Sequence, residues 1–129
     1  MDRINETLFN NFVKGYVDTA IEIEYGIDVT DEVIFYNDVH EEYINGIRNI
    51  SEVFLTSALE VIPEDVLNNI LEVKSNDMIS SAGSDFYLVR EGHGSGFLDR
   101  DCFFGYEEEL QNLARKISMG EPVYLKGEL

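Results

Sequence analysis

Residues 82–101, AGSDFYLVREGHGSGFLDRD, decide how the chain is read. Phe86 and Leu88 alternate there with Asp85, Tyr87, Val89 and Glu91, and the aromatic and β-branched content agrees with that period of two, so DFYLVRE (85–91) is predicted as a strand. The glycine-rich GHGSG (92–96) reads as a turn and GFLDR (96–100) as a second strand, which together make an antiparallel hairpin.

On either side of this segment the period is helical. From about Arg3 to Glu22 apolar residues come in pairs every four positions (Leu8 and Phe9, Phe12 and Val13, Tyr16 and Val17, Ala20 and Ile21), the wide stripe of an amphipathic helix that Tyr25 and Gly26 end. Residues 27–38 read as an acidic loop. Asp38 then serves as N-cap, with Glu41 three residues on, of a second helix from about Val39 to Glu60. Pro63, Glu64 and Asp65 open a short third helix ending near Lys74, and 75–84, SNDMISSAGS, has the composition of a connecting loop. After the hairpin, Glu107, Glu108 and Glu109 start a final helix that Gly120 stops, and PVYLK (122–126) is predicted as a closing strand. The expected fold is therefore α+β, a single domain over residues 1–129: N-terminal helices packed on a small antiparallel sheet of hairpin, crossing helix and terminal strand.

Charge is the strongest compositional signal. The 26 acidic and 9 basic residues give −17, of which residues 1–79 carry −13 (17 acids, 4 bases) and residues 80–129 carry −4 (9 acids, 5 bases). Such a chain repels a nucleic-acid backbone or an anionic membrane at long range and favours a basic partner. With 44% apolar and 12% aromatic residues it is expected to fold. No run approaches the ~20 apolar residues that span a bilayer, and MDRINETLF does not resemble a signal peptide. Cys102 is the only cysteine, so no internal disulfide forms; beside Phe103 and Phe104 it reads as a small buried hydrophobe. A cytoplasmic location is expected.

The 82–101 block resembles one found in uncharacterised small proteins of tailed bacteriophages, approximately AGHDFWLTRNGHGAGFWDR. Ala82, Gly83, Asp85, Phe86, Leu88, Arg90, Gly92, His93, Gly94, Gly96, Phe97, Asp99 and Arg100 fall in register, and Gly15 and Tyr16 match a GY element in the N-terminal helix of that family. Tyr87 and Leu98 stand where the family has tryptophan. The resemblance implies a phage-encoded accessory protein acting inside a bacterial host, and it implies no mechanism.

Two sets of residues could carry function. In and beside the hairpin, His93 with Arg90, Asp99 and Arg100 could bind an anion or move a proton, which would make a small ligand-binding or catalytic domain. The plainer reading is that Arg90 and Asp99 pair across the hairpin while the glycines build its turn. No phosphate loop, GxSxG elbow or metal-ligand spacing is present; His40 and His93 are far apart, and no cofactor or metal is expected. The second set is acidic: Asp18 and Glu22 one helical turn apart, Asp28, Asp31 and Glu32 in the acidic loop, and Glu41 and Glu42 on the second helix. A folded array of carboxylates can imitate duplex DNA, where charge recurs every ~1.7 Å of axis. The favoured expectation is an accessory protein, leaning away from an enzyme. It would inhibit or redirect a host nucleic-acid-binding or defence protein that has a basic surface.

Overall fold

The computed structural model describes residues 4–25, 39–74, 80–92, 96–99 and 102–117. Five helices account for most of this: α1 (Glu6–Tyr25), α2 (Glu41–Ala58), α3 (Glu64–Glu72), α4 (Ser81–Arg90) and α5 (Glu107–Arg115), with a 3-10 turn over Gly96–Asp99. Among the described residues there is no sheet, so the α+β expectation is corrected to a helical fold. Both strands of the expected hairpin are replaced: 85–90 belongs to α4 with Glu91 as its C-cap, and GFLD is the 3-10 turn. The acidic loop, the Asp38 cap, residues 75–79, most of the GHGSG turn and the PVYLK strand lie outside the described residues.

The four amphipathic helices form where their stripes place them, and the starts of α1, α2 and α3 have a physical cause. Asn5 starts α1 by accepting the Leu8 N–H on Oδ1 at 3.2 Å. At α2 the cap is His40, whose Nδ1 accepts the Glu42 N–H at 3.1 Å, two residues beyond the expected Asp38. Pro63 caps α3, where its missing N–H costs nothing because that group has no partner inside a helix.

α4 is a different kind of helix. Eight of its ten residues are buried, so no polar face remains to display a period of 3.6. Ser80 starts it, its Oγ accepting the Gly83 N–H at 3.1 Å. α4 packs most extensively on α1, and the two backbones touch at a pair of glycines. A Cβ on Gly83 would overlap the Phe12 carbonyl, and one on Gly15 would sit 2.7 Å from the Ser80 carbonyl oxygen.

This approach drives Phe86 into the centre of the core. Its ring stacks on Phe54 of α2 at 4.3 Å and meets Phe12 and Tyr16 of α1 at 5.5 and 5.6 Å. Phe54 continues to Phe97 (5.9 Å), and Phe97 meets Phe103 edge to face (5.6 Å), tying the 3-10 turn and the approach to α5 into the same aromatic row. Gly96 seats this turn: its φ is +54°, and a side chain there would strike Val89 and come within 3.1 Å of the Asp85 carbonyl oxygen. The Phe97 N–H donates to Oε1 of the buried Gln111 on α5 at 3.1 Å.

The two kinds of glycine should respond in opposite directions. Gly83→Ala is expected to cost on the order of 3 kcal/mol through overpacking of the α1–α4 contact. Gly46→Ala, on an exposed stretch of α2 with nothing within 4 Å of the added Cβ, should gain up to ~1 kcal/mol. Urea denaturation of both variants checks this.

Candidate functional site

Arg90 is buried at the C-terminal end of α4, where its Nη1 donates to the Tyr16 hydroxyl at 2.7 Å. The guanidinium also lies 5.9 Å from the centres of the Tyr16 and Phe86 rings. Tyr16 meets Tyr87 edge to face at 5.3 Å, and the Tyr87 hydroxyl donates to Oε2 of Glu24 at 3.4 Å. Asp85, one turn back along α4, is buried and is not without a partner.

Electrostatics define how far this cluster reaches. Burial pushes the Tyr16 phenol up to about 12; the Arg90 guanidinium opposes the shift, and the Glu91 and Glu24 carboxylates add to it. Burial likewise raises Tyr87, reinforced by Glu24 and Glu91, and raises Tyr43 of α2, reinforced by Tyr16, Glu24, Tyr87 and Glu91. Glu24 from α1 and Glu91 after α4 thus act on a phenol in the first turn of α2, directly after Glu41 and Glu42. Carboxylates from α1 and from the turn after α4 therefore both act on this tyrosine cluster.

This arrangement limits the available chemistry. A phenol with a pKa near 12 is ionised in on the order of one molecule in 10⁵ at pH 7, so Tyr16 serves as a neutral hydrogen-bonding group and not as a base. Arg90 is buried, and its Nη1 is engaged by the Tyr16 hydroxyl. Among the described residues no group of three or more His, Cys, Asp or Glu is placed to hold a metal ion, and no helix is long and apolar enough to cross a membrane.

The sequence-predicted residues separate accordingly. Asp18 is half-buried on the outer side of α1, and burial raises its carboxyl pKa against the pull of Lys14. Glu22, Glu41 and Glu42 are exposed. Asp28, Asp31, Glu32, His93, Arg100 and the Asp99 side chain lie outside the described residues. Cys102, expected to be buried, is exposed, and the buried neighbour is Phe103. Sequence reasoning passed over Glu24, Glu91 and the three tyrosines. Helical spacing carries the missed signal: Tyr16, Ala20 and Glu24 share one stripe of α1, and Tyr87 and Glu91 are one turn apart.

No protein-family model, curated protein or solved structure matches the chain.

Two outcomes follow from the cluster. Arg90→Met keeps the packing of the aliphatic stem and removes the charged donor to a buried hydroxyl, which should cost about 2 kcal/mol in urea denaturation. Because the folded-state pKa of Tyr16 lies above the usual 10.0, its contribution to stability is complete below pH 10 and is lost as pH rises through about 12. Melts between pH 8 and 12 should therefore show stability falling above pH 10, with a shallower fall in Tyr16→Phe; identical slopes would contradict the assignment.

Proposed function

We propose that this is a phage-encoded accessory protein that binds a host protein with a basic surface, a nucleic-acid enzyme or a defence nuclease, and inhibits or redirects it by partial mimicry of DNA charge. The observation that carries the reading is that the Tyr87 hydroxyl joins α4 to Glu24 of α1, while Glu24 and Glu91 both act on Tyr43 in the first turn of α2. Glu41 and Glu42 are exposed, and the sequence between α1 and α2 (26–38) carries Asp28, Asp31, Glu32 and Asp38. Glu22, in the last turns of α1, is exposed as well. Fixed carboxylates from separate helices present a dense negative field without the ordering cost of a flexible acidic tail. The same field opposes direct contact with nucleic acid or an anionic membrane.

The resemblance of the 82–101 block supports the phage assignment. Much of that block supports the fold: Ala82, Gly83, Asp85, Phe86, Arg90, Gly96 and Phe97 are all buried. The buried residues of the block thus support the fold, and the charge contact proposed for a partner is assigned to the carboxylates.

The test is capture of partners from bacterial lysate by the immobilised protein, with excess duplex DNA as competitor, followed by affinity measurement on the purified partner. Combined Glu22→Lys, Glu41→Lys and Glu42→Lys should weaken binding by about tenfold or more and flatten its salt dependence. The Glu41 and Glu42 changes also remove favourable helix-dipole contacts worth ~0.3–1 kcal/mol each, so folding is verified by the thermal midpoint. Unchanged affinity, or a partner that DNA does not displace, counts against mimicry.

A further inference from the structure

Phe104 is the one non-glycine residue with positive φ among those described, at +57°, and 57% of its surface is exposed. Either feature alone is unfavourable for a phenylalanine, and here both fall on one residue. The surrounding turn fixes it in place. Phe103 is fully buried against Phe97, the Tyr106 N–H donates to the Phe103 carbonyl at 3.0 Å, and the Gly105 N–H donates to Oε2 of Glu107 at 3.0 Å. Leu98, 48% exposed, follows Phe97 as Phe104 follows Phe103, so each inner ring is succeeded in the chain by an exposed apolar residue. The Glu107 carboxylate, held on the Gly105 N–H, sets an acidic group in the turn directly after Phe104. The other large exposed apolar residues, Ile23, Val53 and Val61, have no such backbone conformation.

We infer that Phe104 is an anchor that inserts into an apolar pocket bordered by Lys or Arg on the protein partner. This rests on the proposed binding of a basic partner and adds a second contact to it. Charge decides the occupant: at −17 the chain repels another copy of itself and an anionic lipid surface, whereas the acidic group in the turn after Phe104 attracts a basic rim. A rigid aromatic in a desolvated pocket is the kind of contact that dominates binding energy, and holding it exposed in advance avoids ordering costs on association.

The experiment replaces Phe104 with the photo-crosslinking analogue p-benzoylphenylalanine in the full chain, expressed and irradiated in bacterial cells. A control carries the analogue at the exposed Val53 of α2. The inference expects crosslinks from position 104, and not from 53, to one protein through a peptide that places apolar residues next to Lys or Arg. With that protein purified, Phe104→Asn should weaken binding about tenfold. Asparagine suits the left-handed backbone, so the variant should fold with an unchanged or raised thermal midpoint. Equal crosslinking from both positions, crosslinks only to another copy of the chain, no crosslink, or unchanged affinity of Phe104→Asn overturns the anchor. Loss of affinity on reversal of Glu22, Glu41 and Glu42 with none in Phe104→Asn removes the anchor and leaves the carboxylate reading standing. The reverse pattern removes the carboxylate reading alone.

Discussion

The close crossing of α1 and α4 at Gly15 and Gly83 is the constraint on which the rest of the structure depends. With the Gly83 position pressed against the Phe12 carbonyl, there is room for no side chain, and the two helices sit near enough for one turn of α4 to serve the whole core. Phe86 then reaches Phe12, Tyr16 and Phe54 together, and Arg90, one turn further, reaches the Tyr16 hydroxyl. The same crossing brings Tyr87 to Glu24. Core packing and this polar contact therefore both follow from one backbone contact.

That contact explains what could and could not be read from the residues. α1, α2, α3 and α5 each have a wet side and a dry side, so their apolar residues repeat at helical spacing and their limits are legible to within a few residues. α4 is enclosed on nearly all sides, which removes the polar face that would reveal its period, and the chance alternation of Phe86 and Leu88 with polar neighbours imitates a strand. The small residues Ser80–Ser84 compounded this. They read as a loop, although Ser80 is an N-cap and Gly83 is the contact with α1. Local composition cannot separate a flexible small-residue stretch from one that is small because another backbone lies against it.

The candidate site was legible in the same uneven way. Exposed carboxylates at helix starts, such as Glu41 and Glu42, show in the sequence as charge beside an apolar stripe. Glu24 continues the stripe of Tyr16 and Ala20, and its importance appears only once Tyr87 is placed beside it. Tyr87 supplies a hydroxyl donor to Glu24, whereas Leu98 is half exposed and fills no core position. The exposed Phe104 was masked by its neighbours, since nothing in Cys-Phe-Phe-Gly tells which phenylalanine is inside.

The central claim is that residues 81–90 form a helix crossing α1 at Gly83, and the most direct measurement is solution NMR of the backbone and α-protons of that segment. The account predicts helical secondary shifts from Ser81 to Arg90 and nuclear Overhauser contacts from the Gly83 α-protons to Phe12 and Tyr16. Extended-type shifts over 85–91 with cross-strand contacts to 96–100 would contradict it and restore the hairpin.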